Sequence, residues 1–202
     1  MGGKPSHILG TTFIQGGSDV LRDGEWFRSN GVTDVVSICD VYPDRSIISE
    51  ERNIWIDLYD VESTNLLDHF ERTTRFIHKA RASGGCVYVH CAAGISRSST
   101  ISSAYLMCWL ELTMEEALQV LKLSRPAVSP NRGFREQLKR FETSELRNLL
   151  VEEFRKEREA NGELQKLYEA DQADIAQKRE AGAQQQEKSG GASGSSNSYF
   201  VY

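Results

Sequence analysis

Cys86-Val87-Tyr88-Val89-His90-Cys91-Ala92-Ala93-Gly94-Ile95-Ser96-Arg97-Ser98-Ser99-Thr100-Ile101 is the stretch from which the fold can be read. Cys86 to Val89 is a short apolar run with the composition of a buried strand. From Ser98 to Met107 the pattern becomes helical, with Ile101, Ala104, Tyr105 and Cys108 sharing a face. A strand, a tight loop and a helix N-terminus in succession make an anion site. Unpaired backbone N–H groups and the positive end of the helix dipole converge there. Cys91 stands at the mouth of that site.

The residue types at this spacing point to attack on a phosphate ester. A cysteine at a helix N-terminus beside a cation can be a thiolate at neutral pH, and a thiolate can take phosphorus to a phosphocysteine intermediate. Arg97 can fold back to hold two phosphate oxygens with its planar fork, which lysine cannot do. Ala92, Ala93, Gly94, Ile95 and Ser96 supply the loop amides, and Gly94 gives the backbone freedom to turn them inward. Ser98 is placed to donate to the sulfur as it leaves. His90 is read as fixing the loop through ring hydrogen bonds, not as a base.

The leaving oxygen needs a proton, and Asp60 is the candidate donor. Asn53-Ile54-Trp55-Ile56-Asp57-Leu58 alternates, so Ile54, Ile56 and Leu58 face one way in a strand. Asp60 falls just past its end, where a strand delivers a side chain to the carboxyl edge of an α/β sheet. Asp57 belongs to the alternation and is expected to point away; Glu62 is the alternative.

From His7 to about Phe154 the chain resembles the small atypical dual-specificity phosphatases of the cysteine-dependent protein tyrosine phosphatase superfamily. It is most similar to the myristoylated, JNK-stimulatory type. The residues carrying the resemblance are Ile8-Leu9-Gly10, Phe13-Ile14-Gln15-Gly16, Asn65 to Phe70, Phe76-Ile77-His78, Val89 to Thr100, Ala104 to Met107, Arg125-Pro126 and Ser129 to Leu138. The resemblance implies phosphoprotein substrates, with phosphoserine or phosphothreonine accepted beside phosphotyrosine in a shallow pocket. It matches Asp60 to the family's acid and places Asn131 near the loop as a buttress. A helix N-cap for the segment carrying Phe134, Leu138 and Phe141 is an equal reading of Asn131. The loop interior holds no lysine, which disfavours a phosphoinositide substrate. No Asp/His cluster has metal-ligand spacing, so neither metal nor other cofactor is expected. A non-catalytic phosphoprotein-binding module with a helical scaffold tail is the rival from another class, although such a module has no need of a thiol.

The wider pattern predicts an α/β fold with a central, mostly parallel mixed sheet, helices on both faces and a C-terminal extension. Strands are expected over Ile8–Gly16 and Asp34–Cys39, with a helix over Ser18–Asn30 ending at Gly31. Leu66, Phe70, Thr73 and Ile77 line a further helix that stops at Gly84-Gly85. Thr113 and Glu116 form a capping box for Met114–Ser124, and Pro126 bars continuation. The domain plan is an acylation segment (1–6), a catalytic domain (7–150) and a charged extension (151–202). Glu152 to Lys188 reads as a solvated helix or weak coiled coil, and Gly182 to Ser198 as a flexible segment before Tyr199-Phe200-Val201-Tyr202.

A net charge of −5 gives no basic face for nucleic acid. No apolar run approaches membrane-spanning length and no secretory signal is visible. The four cysteines fall mostly in apolar patterns and read as reduced, as in a cytoplasmic protein; a Cys86–Cys91 disulfide would be awkward along one strand and loop. Met1-Gly2-Gly3-Lys4-Pro5-Ser6 fits the myristoylation pattern with Gly2 as acceptor. With only Lys4 nearby and no cysteine for a second chain, such an anchor gives marginal, reversible membrane association. Oligomeric state is not legible.

Overall fold

The computed structural model describes residues 4–40 and 44–190. Its centre is a five-stranded sheet in the order β1-β2-β5-β3-β4, made of β1 (Ser6–Leu9), β2 (Phe13–Gly16), β3 (Val32–Ile38), β4 (Asn53–Ile56) and β5 (Cys86–Cys91). β1 runs antiparallel to β2, and the other pairings are parallel. The expected mixed, mostly parallel sheet is therefore present.

β5 is buried along its whole length, and its period-two alternation divides its side chains between two cores. Val87, Val89 and Cys91 face the larger core, under α2 (Phe70–Ala82), α3 (Arg97–Trp109), α4 (Met114–Ser124), α5 (Arg132–Glu142) and α6 (Glu145–Ala160). Cys86 and Tyr88 face the smaller one, which α1 (Gly24–Ser29) covers with Phe27 and Trp26. That split puts Cys91 on the same side of the sheet as α3. Cys86 and Cys91 end up at opposite ends of β5, about 16 Å apart at the rise of a strand, and cannot pair.

Several elements differ from their sequence reading. Ile8–Gly16 is a hairpin, turned at Gly10 with Thr12 N–H donating to Leu9 O at 3.2 Å. Of the expected Ser18–Asn30 helix only a 3-10 turn at Ser18–Val20 and the six-residue α1 form. Asp23 interrupts it by capping α1, its carboxylate accepting from Trp26 N–H at 2.9 Å. β3 starts two residues early, and β4 stops at Ile56, so Asp60 lies on a longer loop than expected. The Thr113/Glu116 capping box forms as read.

The largest difference lies beyond residue 144. α6 runs through residue 150, so the expected domain boundary falls inside a helix, and α7 (Gly162–Gly190) follows. Phe154, Leu164 and Ile175 join the main core. The apolar stripe of α7 runs Leu164, Leu167, Tyr168, then Ile175, and its gap is Asp171. Asp171 is 2% exposed and accepts from Arg81 of α2 and from Trp109 Nε1–H of α3, at 2.8 and 2.7 Å. Arg81 also donates to Tyr105 OH and Thr12 Oγ1. One turn on, Asp174 accepts from Gly10 N–H and Lys178 donates to the carbonyls of His7 and Ile8. The extension is thus strapped to the bare edge of β1 and to the hairpin turn. Gly2 and Tyr199 to Tyr202 lie outside the described residues.

Removing one partner of a buried ion pair leaves the other charge uncompensated, at a cost of about 3–5 kcal/mol. Asp171→Ala is expected to lower the unfolding free energy by that order in urea titrations. A loss under about 1 kcal/mol would mean that α7 does not dock in solution.

Candidate active site

Residues 92–96 join β5 to α3, and the destination of each carbonyl decides what the loop can bind. Ala92 O accepts from Ser18 N–H at 3.2 Å. Ala93 O accepts from Arg125 Nη2 at 3.0 Å, and Gly94 O from Arg125 Nε at 2.6 Å and Gln15 Nε2 at 3.3 Å. Ile95 O accepts from Ser99 Oγ at 2.7 Å and Ser129 N–H at 3.0 Å. Ser96 O accepts from Thr100 N–H and Oγ1 at 3.0 and 2.9 Å. All five carbonyls point away from the mouth, so the amides across their planar peptides point toward it. Gly94 adopts φ +68°, and a Cβ there would run into the Gly16 backbone.

Cys91 Sγ sits within this ring, accepting from Gly94 N–H at 3.2 Å and lying 3.3 Å from Ser98 Oγ. Burial pushes the thiol pKa up. Hydrogen bonds from the Ser98 hydroxyl and amide, the Arg97 cation and the Ile95 amide outweigh it, and the net value is lowered. His90 lies on the opposite face of β5. Its Nε2 is 2.7 Å from Ser37 Oγ and its Nδ1 3.9 Å from Cys39 Sγ, so its ring ties β5 to β3 rather than bonding the 92–96 loop as the sequence reading expected. Burial lowers its pKa to about 4, and Arg97 adds to this against a bond to the Cys91 backbone, so the ring is neutral at pH 7.

Arg97 donates Nη1–H to Leu58 O at 2.9 Å. Its buried Nε lies 3.5 Å from Asp60 Oδ2 yet makes no hydrogen bond, leaving a donor unspent. Asp60 Oδ1 accepts from Ser96 Oγ and Asn131 Nδ2, both at 2.8 Å. The two readings of Asn131 are one arrangement. Its Oδ1 caps α5 at Phe134 N–H, its Nδ2 holds Asp60, and its own N–H donates to Ser96 Oγ. Asp57 is exposed. Glu62 meets α5 through its backbone: a Cβ on Gly133 would collide with Glu62 O. Gln137 completes the fastening, accepting from Leu66 and Leu67 N–H and donating to Thr64 O. Among the described residues no three His, Cys, Asp or Glu side chains gather to hold a metal ion.

The structure therefore brings Cys91, Ser96, Arg97, Ser98, Asp60 and Asn131 together. Sequence reasoning missed Gln15, Arg125 and Gln137. For Gln15 a signal existed: a polar residue inside the apolar strand Phe13-Ile14-Gln15, fully buried and also donating to Ser99 Oγ.

A thiol lowered in pKa, in a ring of inward amides at a helix N-terminus, with an arginine and a carboxyl at its rim, defines a cysteine-dependent phosphatase. The family model for the dual specificity phosphatase catalytic domain matches residues 28–144. Dual specificity protein phosphatase 22-B of Danio rerio is 38% identical over 158 residues, spanning 77% of this chain and 85% of its own. Dual specificity protein phosphatase 22 of Homo sapiens is 36% identical over 157 residues, spanning 76% and 84%. The crystal structure of DUSP15 superposes with a TM-score of 0.66 at 32% identity, covering 73% of this chain and 95% of that one. The chain belongs to the dual-specificity phosphatase family and is a dual-specificity protein phosphatase of the small atypical kind.

Ser98 is the largest of the influences that hold the thiol pKa down. The rate of alkylation by iodoacetamide against pH should show a Cys91 midpoint below the ordinary thiol value, moved upward in Ser98→Ala. An unmoved midpoint would assign the thiolate to the amides and Arg97 alone.

Proposed function

We propose that Cys91 is the nucleophile, Arg97 and the amides of the 92–96 loop the oxyanion donors, Asp60 the acid and then the base, and Ser98 the partner of the departing sulfur. The Cys91 thiolate attacks phosphorus and the bond to the leaving oxygen breaks as Asp60 protonates that oxygen. Asp60 then takes a proton from water, whose oxygen attacks phosphorus. The sulfur–phosphorus bond breaks and the thiolate returns, accepting from the Ser98 hydroxyl. The observation that carries the reading is the unspent Arg97 Nε donor beside the ring of amides around Cys91 Sγ. These donors are set in place before any substrate arrives, which is how charge stabilisation contributes most to rate.

The substrates we assign are phosphoproteins of intracellular signalling, at tyrosine and at serine or threonine. Tyr59, Val61 and Ile95 form an exposed apolar rim beside Asp60 and the loop, suited to a polypeptide. The lysine-free loop offers nothing to the extra phosphates of an inositol lipid. An acyl chain on Gly2 would add weak, reversible attachment to the cytoplasmic face of a membrane.

Hydrolysis of an aryl phosphate in chelator and reductant tests the assignment. Cys91→Ser should abolish turnover. Asp60→Ala should lower kcat by about 10²–10⁴-fold, with a smaller loss for leaving groups that need no proton. An equal loss for every leaving group would move the acid elsewhere, Glu62 first. Phosphopeptide capture without turnover by fresh, reduced wild type would overturn the reading in favour of a binding module.

A further inference from the structure

Arg125 ends α4, its N–H donating to Leu121 O at 2.9 Å, and the following Pro126 turns the chain away. Its side chain runs beneath the phosphate loop and is 5% exposed as a residue. One edge of the guanidinium donates to Gly94 O and Ala93 O, at 2.6 and 3.0 Å. Its Nη1 donates to Lys4 O at 2.6 Å and reaches Ser6 Oγ at 3.5 Å.

The peptide planes give these contacts their meaning. Ala93 C=O and Gly94 N–H belong to one planar group, so pulling that carbonyl back aims that amide forward. Gly94 N–H is the one that meets Cys91 Sγ at 3.2 Å. Gly94 C=O is likewise paired with Ile95 N–H, another of the groups that stabilise the thiolate. A single fork thus fixes both peptides, a geometry lysine cannot reproduce. The same fork is tied to the segment that leads into β1.

We propose that Arg125 is a positioning residue that aims the Gly94 and Ile95 amides at the nucleophile and couples the N-terminal segment, through Lys4, to the catalytic loop. The chain ahead of β1 then acts on chemistry through backbone orientation, without touching substrate. Whatever pulls Lys4 away from the domain loosens two of the amides that face the sulfur.

The inference rests on Cys91 as nucleophile, and the test separates the two. Arg125→Lys keeps the cation and loses the fork. It should lower kcat by about 10- to 100-fold with little change in KM and raise the pH midpoint for alkylation of Cys91. Arg125→Ala should do the same, and the lysine variant decides if the alanine variant does not fold. Deleting residues 2–5 from the otherwise full chain should shift the midpoint in the same direction by less. A wild-type midpoint in folded Arg125→Lys would show that charge alone suffices and overturn the role. An unshifted midpoint in the deletion would overturn the coupling. Retained turnover in Cys91→Ser would instead defeat the nucleophile assignment.

Discussion

A planar trans peptide cannot turn its N–H toward a phosphate without turning its C=O the other way. A loop that gathers several amides on one side therefore sends several carbonyls into the protein, where each must find a donor or cost roughly 1–3 kcal/mol. Residues 92–96 meet that demand with donors drawn from the chain after β2 (Ser18), β2 itself (Gln15), α3 (Ser99, Thr100), the end of α4 (Arg125) and the segment before α5 (Ser129). The elements around the loop are thus placed by hydrogen bonds that the loop requires. Stability and the direction of the loop amides share the same donors, so a change in any of them acts on both.

The carboxylate at the rim of the loop is held by the same economy. Asp60 lies on a loop with no regular structure of its own, so its carboxyl needs outside fastening. Gln137 secures the neighbouring backbone, Gly133 lets that backbone approach α5 closely, and Asn131 holds the side chain, all from the first turns of α5. Ser96 donates to Asp60 while its own oxygen accepts from Asn131 N–H. Asp60, the 92–96 loop and α5 are therefore tied to one another by hydrogen bonds. Entropy that a substrate would otherwise have to remove is already lost in folding.

How far the sequence could be read follows from how local each feature is. Cys91, Arg97 and Ser98 were legible because strand, loop and helix are contiguous and the chemistry lies within eight residues. Asp60 was legible from the end of an alternating strand, although β4 stops four residues short of it. Asn131 stayed ambiguous because capping and buttressing use different atoms of one side chain, and here it does both. Arg125 and Gln137 stood among the residues carrying the resemblance but showed no role, since their main partners are backbone carbonyls and amides that carry no side-chain identity. The hairpin at Gly10 and the shortened helix after Ser18 were missed because single turns override a continuous apolar pattern.

Asp171 explains the remaining error. An acidic residue at a core-facing position breaks an apolar stripe, and the break reads as solvent exposure. Its partner is a buried arginine 90 positions earlier in the chain, beyond the range of any periodicity. A buried pair of this kind contributes little net stability, because desolvation consumes most of the Coulomb gain. What it does supply is register. Leu164, Leu167, Tyr168 and Ile175 could pack on an apolar groove in several ways, but only one places Asp171 against Arg81 and Trp109. That register sets Asp174 at Gly10 and Lys178 at the edge of β1. β1 leads back to Ser6 and Lys4 at Arg125. The helix furthest in sequence from Cys91 is thereby joined to it through one hairpin, and helix register becomes a condition on the geometry of the loop.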